Sequence, residues 1–172
     1  SEFWPREVHS LGGGMIKPGS RPNGTQQADS HARWRGHLHE RRVPDGVRVT
    51  DKRPDTLFHI ATILDVLPNA KIVISERDWR DTLVSVYGTR LHPQHGYATE
   101  PAAIADHIRL CHQIADFWTE ALPDRIQRVS YEALVEDPES TLQELFAWLG
   151  ERWDPACLEF YKLNNSVRTA SV

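Results

Sequence analysis

Six residues in the middle of the chain, Ala70–Ser75 (AKIVIS), constrain the fold most. Its β-branched centre, Ile72-Val73-Ile74, predicts a strand covered on both faces, as in a parallel sheet. Pro68-Asn69 stops what precedes it, and Glu76-Arg77-Asp78 follows it directly. Beyond that turn, Leu83, Val84 and Tyr87 fall at helical spacing and predict a helix to about Thr89. The unit is strand, short turn, helix, and parallel strands need such crossovers.

The flanking pattern repeats the alternation. Val47-Arg48-Val49-Thr50 is a short β-prone run, and Ile126 to Ser130 reads as a further strand. Leu57, Ile60, Ala61, Ile63, Leu64 and Leu67 form an apolar stripe on a helix capped by Asp55 or Thr56. Pro101 suits a first helical turn, and Ile104, Ile108, Cys111, Ala115 and Trp118 predict a long helix to about Ala121. Tyr131 to Val135 reads as one helical turn. Asp137-Pro138 opens a helix that Gly150 stops, and Pro155 opens a last one to about Leu163. Trp118, Phe146, Trp148 and Trp153 are read as core or half-buried packing residues. The fold expected is α/β, a mostly parallel sheet flanked by helices.

Residues 1–30 differ from the rest. Gly12, Gly13, Gly14, Pro18, Gly19, Pro22 and Gly24 break any regular pattern, so residues 1–30 are read as an irregular arm and residues 31–172 as the α/β domain. Ser30 is a plausible N-cap for a helix from His31 to about Arg41. Residues 1–53 carry 10 Lys/Arg against 6 Asp/Glu, and residues 54–172 carry 10 against 18. That balance argues against nucleic acid as a general partner and leaves room for a small anion held by selected cations. No apolar stretch approaches the ~18 residues of a membrane span, and no secretory signal is legible. Two cysteines, Cys111 and Cys157, fit reduced thiols in a cytoplasmic protein.

Ligands of open α/β sheets bind at the carboxyl ends of the strands. The three predicted strands end at Asp51-Lys52, Arg77-Asp78 and Tyr131-Glu132. Two cations and an aromatic ring on one edge suit a phosphorylated nucleotide, the cations meeting phosphate oxygens and the ring stacking on a base. Arg77 stands at the strand–helix junction, Asp78 is a good N-cap, and Ser85 lies about two turns into the helix. The plainer alternative pairs Arg77 with Asp78 or Asp81 and turns Ser85 toward a neighbouring helix. Glu132 and Glu136 read as solvated helix charges.

The stretch LPNAKIVISERDWRDTLVSVY (Leu67 to Tyr87) resembles the 3′-phosphate-binding strand–helix of PAPS-dependent sulfotransferases, whose pattern is Arg-Asp-Pro-x-Asp-x-x-x-Ser-x-Tyr, with Trp79 in place of the Pro. VTDKRPDTLFHIATI is similar to the Thr-Asp-Lys-x-Pro segment of the tyrosylprotein-sulfotransferase-like branch. The stretches from Leu122 to Tyr161 and VRTASV are similar to the rest of that branch, which includes bacterial members linked to tetratricopeptide repeats. The resemblance covers about Val47 to Val172. It implies a P-loop-like sulfotransferase fold and transfer of a sulfuryl group from PAPS to an acceptor hydroxyl, with PAP as product. It matches Arg77 and Ser85 to the 3′-phosphate pair, Lys52 to the lysine near the sulfuryl group, Tyr131 to an aromatic near the adenine and Ser171 to a serine near the sulfuryl group.

One family element is not found. The Pro-Arg-Ser-Gly-Thr-Thr loop that cradles the 5′-phosphosulfate has no convincing match, since Arg21-Pro22-Asn23-Gly24-Thr25 lacks a preceding apolar strand. The expectation is therefore a sulfotransferase fragment incomplete at its N-terminus. Its runner-up is a non-catalytic interaction or nucleotide-binding module on the same scaffold. A sheet missing a strand would expose apolar surface and favour association with a second copy. The nine His suggest no metal site: His107 and Cys111 share a helix face at i, i+4, but no third ligand stands at suitable spacing. No Gly-x-Ser-x-Gly elbow and no Gly-x-x-x-x-Gly-Lys-Ser/Thr loop is present.

Overall fold

The computed structural model describes residues 24–40, 48–89, 91 and 95–162. Two compact units divide between Ala70 and Lys71.

In the first unit, helix α1 spans Gly24–Glu40. A 3-10 helix at Pro54–His59 leads into α2, Ile60–Val66. Trp34 of α1 packs with Ile63 and Val66 of α2, and Leu38, Leu67 and Ala70 extend that cluster. Helix α1 starts before the expected N-cap and crosses the boundary placed at residue 30. Ser30 is fully buried inside it, where its hydroxyl accepts a hydrogen bond from Arg33 Nη2 at 3.2 Å. Thr25 to Asp29 hold no Gly or Pro, so nothing local stops the helix from extending back to Gly24. Two further expectations are corrected. Residues 48–50 are irregular and form no strand, and Val49 is 38% exposed. Neither Asp55 nor Thr56 caps the 3-10 helix; its N-cap is Arg53, whose guanidinium instead binds the Asp55 carboxylate at 2.8 and 2.9 Å.

In the second unit, β1 spans Ile72–Glu76 and β2 spans Ile126–Ser130. They pair in parallel from Ile72↔Ile126 to Glu76↔Ser130. Among the described residues the sheet has these two strands. The segment between them holds α3, Trp79–Gly88, a 3-10 helix at Gly96–Thr99, and α4, Pro101–Ala121. After β2 come α5, Tyr131–Glu136, α6, Pro138–Leu149, and a 3-10 helix at Pro155–Lys162. The architecture is α/β with a small parallel sheet, as the strand–helix alternation implies.

Side-chain periodicity accounts for the packing. Ile104, Ile108 and Ala115 recur on one face of α4 and are buried, while Leu110 and Phe117 on the outer side are exposed. Ile126 is 1% exposed and anchors β2. Full burial of each such Ile contributes about 1.5–3 kcal/mol relative to leaving it in water. Trp118, Phe146, Trp148 and Trp153 are half-buried, and Phe146 meets Trp153 edge-on with centroids 5.5 Å apart. Helix α6 is bounded as its sequence dictates. The Asp137 side chain accepts the Ser140 N–H at 3.1 Å, Pro138 opens the first turn, and Gly150 sits at φ 75°. The Glu151 N–H then reaches back to the Phe146 carbonyl at 2.9 Å, closing a Schellman-type end.

Strand β1 departs from the double-sided burial expected of AKIVIS. Ile72, Ile74 and Glu76 are half-buried, while Val73 and Ser75 are exposed. The β-branched residues Ile72, Val73 and Ile74 report β-propensity and not which faces are covered. The last helix also differs: Pro155–Lys162 is 3-10, with non-helical angles at Glu159.

Candidate functional site

The carboxyl ends of β1 and β2 lie side by side, because the parallel register ends on Glu76↔Ser130. The residues that follow each strand therefore meet. Arg77 leaves β1 and places its guanidinium carbon 5.1 Å from the ring centre of Tyr131, the first residue after β2. This is a cation–π contact, and it joins two residues separated by 54 positions in sequence. Tyr131 remains 47% exposed as a residue beside Arg77.

Arg77 also pairs with Asp81 across one turn of α3, Nη2 to Oδ2 at 3.0 Å. Both side chains are largely exposed, at 43% and 59%. An exposed i, i+4 pair of this kind contributes about 0.3–0.5 kcal/mol, so separating Arg77 from Asp81 costs little. The ion pair of the plainer sequence reading is thus present, but its weakness leaves the guanidinium exchangeable. Ser85 is exposed on α3, one turn past Asp81 and on the same helical face, about 6 Å further along the axis.

Backbone geometry fixes where Arg77 stands. Asp78 caps α3, its side chain accepting the Arg80 N–H at 2.8 Å. That backbone hydrogen bond, with the Arg80 side chain, holds the Asp78 carboxyl below its ordinary value. The Asp78 N–H donates to Glu132 Oε1 at 2.8 Å, and Ser130 Oγ donates to Glu132 Oε2 at 2.9 Å. The Ala133 N–H donates to Ser130 Oγ at 3.2 Å, so Ser130 caps α5. Glu132 thus links Asp78, two residues past β1, to Ser130, the last residue of β2. Its carboxyl lies below the ordinary range because it accepts first the Asp78 N–H, then backbone and Ser130 donors. The sequence reading set Glu132 aside as a solvated charge. The available signal was its position two residues after a capping serine at a strand end.

A second ionic cluster braces the sheet below this edge. Arg128 of β2 donates through Nε to Glu76 Oε2 of β1 at 2.7 Å and through Nη1 to Asp116 of α4. Elsewhere in the unit, Tyr97 and His107 stack with ring centres 3.8 Å apart, and burial pushes the His107 imidazole down, helped by nearby His95. His107 is thus a packing partner of Tyr97. Burial likewise pushes the Cys111 thiol up.

Of the five residues singled out from sequence, Arg77 and Tyr131 are brought into contact. Ser85 lies on the helix that Arg77 introduces. Lys52 belongs to the first unit, where it is exposed beside the Arg53–Asp55 pair; since no strand forms at residues 48–50, it does not stand at a strand end. Ser171 and Val172 lie outside the described residues, as does the Gly12-Gly13-Gly14 segment. No helix among the described residues is long and apolar enough to cross a membrane.

The family described as the Sulfotransferase family matches residues 22–155. An uncharacterized protein of Aquifex aeolicus (strain VF5) is 30% identical over 128 residues, which cover 73% of this chain and 17% of that protein. The chain therefore spans about a sixth of the length of that relative. No solved structure matches. The matched span contains both parallel strands and the Arg77–Tyr131 edge, and the chain belongs to the sulfotransferase family.

Proposed function

We propose that this chain supplies the 3′-phosphate-binding part of a PAPS-dependent sulfotransferase, which moves a sulfuryl group from PAPS to an acceptor hydroxyl. The observation that carries this reading is the Arg77–Tyr131 pair at the carboxyl ends of two parallel strands. A planar guanidinium offers two parallel N–H donors to phosphate oxygens, and the half-exposed ring beside it offers a face to a purine. Ser85, one turn beyond Asp81, adds a hydroxyl donor on the same helical face. The Arg77–Asp81 pair opens when a phosphate of greater charge takes the guanidinium.

In the transfer, the acceptor oxygen forms a bond to sulfur and gives up its proton to solvent or a base, while the bond from sulfur to the 5′-phosphate oxygen breaks, leaving PAP. The residues assigned here anchor the other end of the nucleotide. Such anchoring fixes the reacting end in place and contributes through orientation. Lys52 and Ser171 are the residues that the family resemblance assigns to the sulfuryl end.

The test is calorimetric titration of the chain with PAP and, separately, with adenosine 5′-monophosphate, which lacks only the 3′-phosphate. Binding of PAP at least tenfold tighter than the monophosphate supports the reading. Equal affinities, or no binding by folded chain, overturn it and leave an interaction module on the same scaffold.

A further inference from the structure

We propose that Glu132 is the positioning residue of this nucleotide edge, a carboxylate that ties the two strand ends together so that Arg77 and Tyr131 form one clamp. The inference rests on the reading of Arg77 as a phosphate ligand and goes beyond it in assigning a residue that touches no ligand. Three observations support it. Glu132 accepts the N–H of Asp78, the peptide group that directly follows Arg77. It also accepts the hydroxyl of Ser130, the residue that directly precedes Tyr131. And the strand pairing stops at Glu76↔Ser130, so past that point the chains diverge into α3 and α5. Glu132 bridges that divergence.

Electrostatics makes the arrangement more than a convenience of folding. A carboxylate next to a phosphate site opposes anion binding unless its charge is taken up by donors. Both oxygens of Glu132 are engaged by N–H or O–H groups, and the same donors keep it ionised. The Asp78 N–H sits near the surface and could be satisfied by water. Glu132 fixes its direction, and with it the backbone from which the Arg77 side chain starts.

The test is a series at this position: Glu132→Gln, Glu132→Asp and Glu132→Ala, each titrated with PAP and with adenosine 5′-monophosphate. Gln keeps the length and an acceptor oxygen for the Asp78 N–H; Asp keeps the charge but is one methylene short. The Gln variant is expected to bind PAP within about threefold of the parent, while Asp and Ala lose about tenfold, as for one hydrogen bond to a charged group. Binding of the monophosphate should change much less, so discrimination for the 3′-phosphate falls. The Asp78 amide resonance reads the positioning directly: it keeps its shift and slow solvent exchange in the Gln variant and loses both in Asp and Ala. If the parent discriminates PAP and all three variants discriminate equally, the positioning role is refuted while the Arg77 site stands. If the parent does not discriminate, the function itself is refuted. Should Ala fail to fold, the Gln–Asp comparison decides alone.

Discussion

Replacing Arg77 should separate stability from affinity, and the structure sets both magnitudes. In the free chain the side chain makes one exposed ion pair to Asp81 and one cation–π contact with a half-exposed Tyr131. The first contributes about 0.3–0.5 kcal/mol and the second about 0.5–1 kcal/mol at such exposure. Arg77→Ala should therefore cost about 1 kcal/mol of folding stability, or about 2–4 °C in Tm for a chain of this length. Hydrogen bonds to a charged partner are worth about 1.5–3 kcal/mol, so loss of the guanidinium should weaken PAP binding about 10- to 100-fold. Arg77→Lys keeps a point charge but no fork, and should recover part of that loss without reaching the parent. Thermal unfolding followed by circular dichroism, and calorimetric titration on the same samples, read the two quantities. Unchanged PAP affinity in the Ala variant would refute the reasoning. So would a fall in Tm of ten degrees or more, which would make Arg77 a structural residue.

Other consequences follow from single contacts. Gly150 ends α6 at φ 75° with open space where a Cβ would stand, so Gly150→Ala should cost only the left-handed backbone, about 1 kcal/mol, visible as a small drop in Tm. Arg128→Met leaves the half-buried Glu76 carboxylate without its guanidinium and should destabilise by about 2 kcal/mol in urea unfolding; a neutral result would show that water replaces the pair fully. The Asp78 carboxyl is held below its ordinary 3.8, so its stabilising contribution is complete above that value and is lost as pH falls through the lower folded value. Asp78→Asn keeps a capping side chain and should flatten that acid limb of the stability curve. The His107 imidazole is pushed below 6.5, so the folded chain resists its protonation and loses stability as pH drops from that value; His107→Phe should remove this part of the pH dependence.

Much of the second unit was legible because its signals are local. Pro101 and the spacing from Ile104 to Trp118 mark α4, and Asp137-Pro138 with Gly150 brackets α6, since caps and periodicity act within a few residues. Arg77 and Asp78 stood out because they occupy the turn of a strand–turn–helix unit, whereas Ser85, inside the helix, was singled out by the family resemblance. The misreadings have the opposite character. Val47 to Thr50 has β-propensity, but strands exist by pairing, and residues 48–50 are irregular. Ser30 has the composition of a cap, yet burial beside Arg33 places it inside α1. AKIVIS does not say which of its faces is covered. Glu132 reads from sequence as a solvated charge for a related reason: its partner is the amide of Asp78, 54 residues away, and a backbone donor leaves no mark in the sequence.

The central claim is that the edge formed by Arg77 and Tyr131 holds the 3′-phosphate end of an adenosine nucleotide. A crystal structure of the chain with PAP tests it most directly. The account predicts the 3′-phosphate within hydrogen-bonding distance of the Arg77 guanidinium and Ser85 Oγ, Asp81 released from its ion pair, and the adenine against Tyr131. PAP bound elsewhere, or bound with the Arg77–Asp81 pair intact, would contradict it.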